Sequence, residues 1–191
     1  MHLAGQRVAQ VLRAEVSNYD ARTRTLLIFD GKGRRANPRP HLLPVRGRAV
    51  ELLERAKARA EGFREGSSPY LFTTTGRCPV DVQTVSDLLK KVKAELMALE
   101  HVKMEFDARD LRRTAETVLA SRGVSKDDRA HLLSHGLGGV QNAHYDRYDH
   151  FNEKVRAIEL WHAWLEDCVR RFVQRHGDVI PVGKTSNSNA L

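Results

Sequence analysis

Two arginines at the start of a helix, a histidine at the end of the next one and a tyrosine ten residues beyond could do chemistry. They lie in Arg109-Asp110-Leu111-Arg112-Arg113-Thr114, then Leu132-Leu133-Ser134-His135, then Tyr145. Guanidinium groups stay charged and present a planar fork that matches phosphate oxygens. An imidazole moves protons near neutral pH. A phenol, with a pKa of about 10, becomes a nucleophile where positive charge favours its anion. Together they suit the binding of an anionic group and nucleophilic attack on it.

The elements that must position these groups are legible. A helix over 108–122 puts Leu111, Ala115 and Val118 on an apolar stripe, and Gly123 is a natural stop. At about 100° per residue, Arg112 falls on the shoulder of that stripe, partly buried and aimed. Arg109 lies one turn away on the same side, and Arg113 points away from the core into solvent. Residues 105–135 hold six Lys/Arg and six Asp/Glu, so these arginines are not part of a basic run. Ser125 opens the next helix with Asp128 three residues on, a capping-box variant, and Gly136 can end it. His135 then sits at a helix C-terminus, where partial negative charge favours the imidazolium. Tyr145 follows a glycine-containing turn, on a short helix. Tyr148, one helical turn further, is the other candidate phenol. His131 and His135 stand at i, i+4, yet no Glu follows His131 and no third ligand is evident, so no metal is expected.

This run of Arg-Asp-Leu-Arg-Arg-Thr, Leu-Leu-Ser-His and Tyr resembles the C-terminal half of the tyrosine recombinase (phage integrase) catalytic domain. That family uses a His-x-x-Arg motif, a later His or Trp, and a Tyr nucleophile. Arg109 stands here where the first His or Lys of the motif is usual, which bears on proton handling more than on phosphate binding. Arg7, in the first turn of a short helix carrying Val8, Val11 and Leu12, resembles the first arginine of Gly-x-Arg-x-x-Glu, with Gln10 in the acidic position. Gln can hydrogen-bond but not ion-pair, and function is expected to survive the change. Lys32, in a hairpin turn, matches the family's catalytic lysine. No Gly-x-x-x-x-Gly-Lys-Ser/Thr surrounds it, so nucleotide binding is not indicated.

The chain as a whole fits one domain. Its 191 residues, 41% apolar and 29% charged, suffice for one well-filled core, and two would be cramped. No run reaches membrane-spanning length and no signal peptide is evident. Cys78 and Cys168 lack metal spacing and read as reduced thiols of a cytoplasmic protein. The net charge of +8 is concentrated, because residues 1–46 hold nine Lys/Arg against three Asp/Glu. A concentrated positive field points to a polyanion.

Thr25–Phe29 and His41–Val45 read as buried strands of a hairpin with a long tip, Pro44 marking an edge or a strand end. Arg34, Arg35 and Arg39 on that tip are candidate DNA contacts, as is Arg113. Tyr70-Leu71-Phe72 reads as a third short strand. Amphipathic helices are predicted over 47–61 and 82–98, the latter with Val85, Leu88, Leu89, Val92 and Leu96 inward and Lys90, Lys91 and Lys93 outward. Residues 151–176 form one long helix with a stripe of Val155, Ile158, Trp161, Leu165, Val169 and Phe172, and 177–191 a disordered tail. The fold class expected is mainly α with a small antiparallel β-sheet.

The resemblance implies site-specific DNA recombination or integration through a covalent 3′-phosphotyrosine, without cofactor. Tyr145 would attack, Arg7 and Arg112 would hold the phosphate, Lys32 would protonate the leaving oxygen and His135 would assist. It implies double-stranded DNA with attachment-type sites as partner, a nucleoid-associated location, and a tetramer assembled through the C-terminal helix. The chain starts six residues before Arg7, so core-binding and arm-binding domains are not expected within it, and weak, salt-sensitive DNA binding is. A catalytically inactive DNA-binding remnant and a type IB topoisomerase-like relaxing enzyme are the alternatives.

Overall fold

The period-2 pattern of Thr25–Asp30 decides the centre of the molecule. In the computed structural model, which describes residues 1–31, 38–63, 66–135 and 150–177, this segment is strand β2. It lies between β1 (Tyr19–Asp20) and β3 (Arg39–Pro44) in a three-stranded antiparallel sheet. Leu26 faces Leu43, Ile28 faces His41 and Asp30 faces Arg39. Leu26, Ile28 and Asp30 all point to the buried side. A carboxylate therefore sits where the alternation would place a third apolar residue.

Helices α1 (Val8–Leu12), α2 (Arg48–Glu61), α3 (Val82–Ala98), α4 (Ala108–Ser121), α5 (Lys126–Leu133) and α6 (Phe151–His176) complete the described architecture, with a 3₁₀ turn over Val16–Asn18. Leu26, Ile28 and Leu43 of the sheet share one core with Leu53 of α2, Leu119 of α4, Leu132 of α5, and Ile158 and Trp161 of α6. Trp161 is buried and donates its indole N–H to the Met1 carbonyl at 3.0 Å, which ties the amino-terminal segment to α6. The core is thus closed by chain segments 160 residues apart.

Several sequence expectations need correction. Tyr70-Leu71-Phe72 does not join the sheet. Its backbone bonds go to the 14–16 segment, through one bridge between Glu15 and Tyr70, and to Val80, whose N–H donates to the Phe72 carbonyl, and β1 takes the third place in the sheet. α3 has the predicted span, but none of its residues is buried and Leu88 is 56% exposed. Its chief neighbour among the described elements is the five-residue α1, too short to cover the whole stripe. In α6 the stripe buries Ile158, Trp161 and Leu165, and Val169 then runs past the core at 58% exposure. α5 ends at Ser134, ahead of Gly136, which lies outside the described residues as do 178–191.

α4 and α5 begin as their sequences predict. Asp107 accepts from the backbone of Arg109 and Asp110, and Asp110 returns a bond to the Asp107 N–H, a full capping box. Ser125 accepts the Asp128 N–H at 3.0 Å. Ser125→Ala should cost about 1 kcal/mol, read as a lower urea midpoint with unchanged slope. No change in midpoint would mean that the cap is replaced by water.

Candidate active site

The turn that ends α5 is gripped residue by residue. The Leu132 carbonyl accepts from Gln6 Nε2 at 2.8 Å and from His41 Nε2 at 3.0 Å. The Leu133 carbonyl accepts from the Arg112 guanidinium. Ser134 is buried in the left-handed conformation, φ +50°, and its hydroxyl donates to Asp30 Oδ2 at 2.6 Å while accepting from Arg39 at 2.7 Å. His135 follows and is exposed. Sheet, amino-terminal segment and α4 therefore all converge on the point from which His135 emerges.

The arginines are placed by the same framework. Arg7 caps α1 and sets its guanidinium 3.1 Å from Asp30 Oδ1, where Gln10 also donates at 2.6 Å. Arg112, half-buried on α4, donates to the Gly5 carbonyl at 3.3 Å as well as to Leu133. Gly5 is required here: its φ is +69°, and a Cβ would lie 2.6 Å from Arg112 Cα. That close approach brings Arg7 near enough for its charge to be felt at Arg112. Burial first, and the Arg7 charge second, pull the Arg112 guanidinium below its ordinary pKa. A guanidinium remains protonated at neutral pH even so. Arg7 pairs with Asp30, Arg39 reaches the same carboxylate through the Ser134 hydroxyl, and Arg112 feels Glu116 and then Asp30, so three guanidiniums stand near two carboxylates and the surplus positive charge suits a phosphate.

The predicted residues separate into groups. Arg7, Arg112 and His135 come together, and Arg39 joins them through Ser134. Arg109 and Arg113 line the same open cavity of about 310 Å³ as Arg112 and His135, but at its rim. Their side chains are 83% and 76% exposed and fold back onto Asp107 and Asp110. Lys32, Arg34, Arg35, Tyr145 and Tyr148 lie outside the described residues. Asp30 and Ser134 were not foreseen. Asp30 reads as turn chemistry beside Gly31, although continuing the Leu26–Ile28 alternation would have set it inward.

His41 gives this framework a pH dependence. Burial, helped by the Lys154 charge, lowers its pKa to about 3, so it stays neutral and donates through Nε2–H to Leu132. The unfolded chain takes up a proton below about 6.5 and the folded one does not. Stability should therefore fall as pH drops below 6.5, by up to about 1.4 kcal/mol per pH unit, until the folded pKa is reached. Urea midpoints between pH 7 and 5 test this; His41→Gln should lessen the slope, leaving the share of His2, whose pKa burial lowers to about 4, and an equal slope in both proteins would refute it.

A family model described as the phage integrase family matches residues 1–154. No curated protein is matched in sequence. Among solved structures, the chain is similar to the XerA recombinase, with a TM-score of 0.56 and 16% identity over 93% of this chain and 55% of that one. It is similar to the integrase from mycobacterium phage Brujita, with a TM-score of 0.56 and 22% identity over 83% and 47%. A third is the Tn1549 transposon integrase (aa 82-397) in complex with circular intermediate DNA, with a TM-score of 0.55 and 12% identity over 77% and 51%. The chain spans about half the length of these solved chains. Their likeness establishes a shared fold, mainly helical with a small antiparallel sheet.

Proposed function

The chain belongs to the phage integrase family, and from that premise we propose that residues 1–176 act as the strand-cleaving domain of a site-specific DNA recombinase. The observation that carries this reading is the framework that gathers Arg7, Arg112 and the exposed His135: Asp30 holds Arg7 and the Ser134 turn, and Arg112 bonds the Leu133 carbonyl of that turn. Arg112 ties two backbone carbonyls and Arg7 pairs with Asp30, and the positive charge that these partners leave over beside His135 suits a scissile phosphate. Arg7 and Arg112 neutralise the non-bridging oxygens. Tyr145 attacks phosphorus, and the new phosphotyrosine bond forms as the bond to the 5′-oxygen breaks. The phenolic proton leaves to a nearby base, and Lys32 protonates the departing oxygen. His135 hydrogen-bonds the phosphate. Religation runs the same steps backward, with a 5′-hydroxyl attacking the phosphotyrosine.

Double-stranded DNA is the partner under this reading, contacted by Arg34, Arg35 and Arg39 of the hairpin and by Arg113. Exchange of strands between two duplexes needs a tetramer, which the exposed end of the α6 stripe would help to assemble. Nicked suicide duplexes tiling the DNA that flanks the coding sequence test the enzyme directly. The wild-type chain should form a covalent adduct that Tyr145→Phe does not form. A second reading, an inactive DNA-binding remnant, is favoured by one observation: Arg109 replaces the motif's usual His or Lys and its side chain folds away onto Asp107. Salt-sensitive binding to every duplex with no adduct on any would select it.

A further inference from the structure

Asp30 is a carboxylate that the core has no packing use for. It is 5% exposed, on the apolar face of β2, and both its oxygens are engaged. Oδ1 accepts from Arg7 at 3.1 Å and from Gln10 at 2.6 Å, and Oδ2 accepts from the Ser134 hydroxyl at 2.6 Å. A buried anion is retained only where its partners compensate its desolvation, and these partners stand on separate parts of the chain: the α1 cap, α1 itself and the turn after α5. Ser134 carries a second sign of purpose. Its φ of +50° is a conformation in which a glycine would be unstrained, yet a serine occupies it and its hydroxyl reaches Asp30.

We propose that Asp30 is a positioning residue for strand cleavage: its carboxylate aims the Arg7 guanidinium and, through the Ser134 hydroxyl, fixes the turn that presents His135. The proposal rests on the recombinase reading given above. Asp30 touches neither the phosphate nor the reacting atoms. It sets the distance between a charge on the amino-terminal segment and a histidine 128 positions later. A shift of about 1 Å at either end is enough to slow a reaction steeply while leaving binding almost intact.

Three variants of the full chain test it. Asp30→Asn keeps the shape and removes the charge. Ser134→Gly keeps the left-handed turn, relieves its backbone and removes the hydroxyl. Asp30→Asn with Gln10→Glu moves the carboxylate across the 2.6 Å hydrogen bond between the two side chains. Single-turnover cleavage of the suicide duplex at saturating protein is expected to slow at least about tenfold in each single variant. Duplex affinity should stay within about threefold of wild type, the signature of an interaction lost from the reaction step rather than from binding. The double variant should recover most of the rate. In ¹⁵N spectra, the Arg7 guanidinium N–H signals of wild type should show hindered rotation, released in Asp30→Asn and restored in the double variant. Wild-type cleavage rates in both single variants, or Arg7 signals identical in wild type and Asp30→Asn, would overturn the proposal. A wild-type chain that forms no adduct counts against the recombinase reading instead, and the guanidinium spectrum then decides the Asp30 anchor by itself.

Discussion

Arg112→Ala is expected to slow strand cleavage by about 10²–10³-fold, the usual consequence of removing one preorganised donor from a developing negative charge. The expectation follows from where the side chain is held. Its guanidinium spans from the Gly5 carbonyl at 3.3 Å to the Leu133 carbonyl, so its position is fixed before any substrate arrives. No reorganisation is then needed when charge builds on the phosphate oxygens. The same two bonds make the residue structural, and their loss should also lower stability by about 1–3 kcal/mol, because half-buried carbonyls lose their donor. Arg112→Lys separates the two roles. An ammonium retains the charge but reaches only one carbonyl, so cleavage should remain well below wild type while DNA affinity changes little. A rate for Arg112→Ala within tenfold of wild type, on protein shown to be folded, would remove Arg112 from the site.

Gly5→Ala should be a strongly damaging small substitution. The added methyl would lie 2.6 Å from Arg112 Cα, and the obstacle is backbone, which cannot swing aside. Forcing a core apart costs about 1–3 kcal/mol, and a left-handed alanine about 1–2 more, so a loss of about 2–5 kcal/mol is expected in urea unfolding. Gly123→Ala is the control. Its φ is +80°, but nothing lies within 4 Å of the new methyl, so only the backbone term of about 1–2 kcal/mol should appear. If the two variants unfold at the same midpoint, the amino-terminal segment does not pack against α4. Gly5 also carries the functional consequence. Gln6 and Arg7 follow it directly, one bonded to Leu132 and the other to Asp30, and Arg112 bonds its carbonyl, so a displaced residue 5 disturbs Arg7 and Arg112 together.

The parts of this architecture governed by local rules were legible in the sequence. The 3.6-residue period placed α4, α5 and α6, with Gly123 marking the end of α4 and Ser125 the start of α5, and helical angle alone distinguished the half-buried Arg112 from the exposed Arg113. What was not legible depends on which distant surface a segment meets. The Tyr70 segment has strand composition, yet its bonds go to residues 14–16 and to Val80 rather than to the sheet. The α3 stripe has a helical period, but its neighbour is too short to bury it. Asp30 and Ser134 escaped for a related reason. Each is an ordinary turn residue in its own window, and only the meeting of β2 with the end of α5 makes them partners. Spacing could suggest Arg7 as a match, but not that Gly5 would bring it beside Arg112.

The most direct measurement is to map the covalent linkage. The wild-type chain, incubated with the suicide duplex that gives adduct, is digested with trypsin and nuclease, and the nucleotide-bearing peptide is sequenced by mass spectrometry. The account predicts a phosphotyrosyl nucleotide on Tyr145, formed only while Arg7 and Arg112 are both present. A linkage on Tyr148 or any other residue, or an adduct on Tyr145 that forms equally well without either arginine, would contradict it.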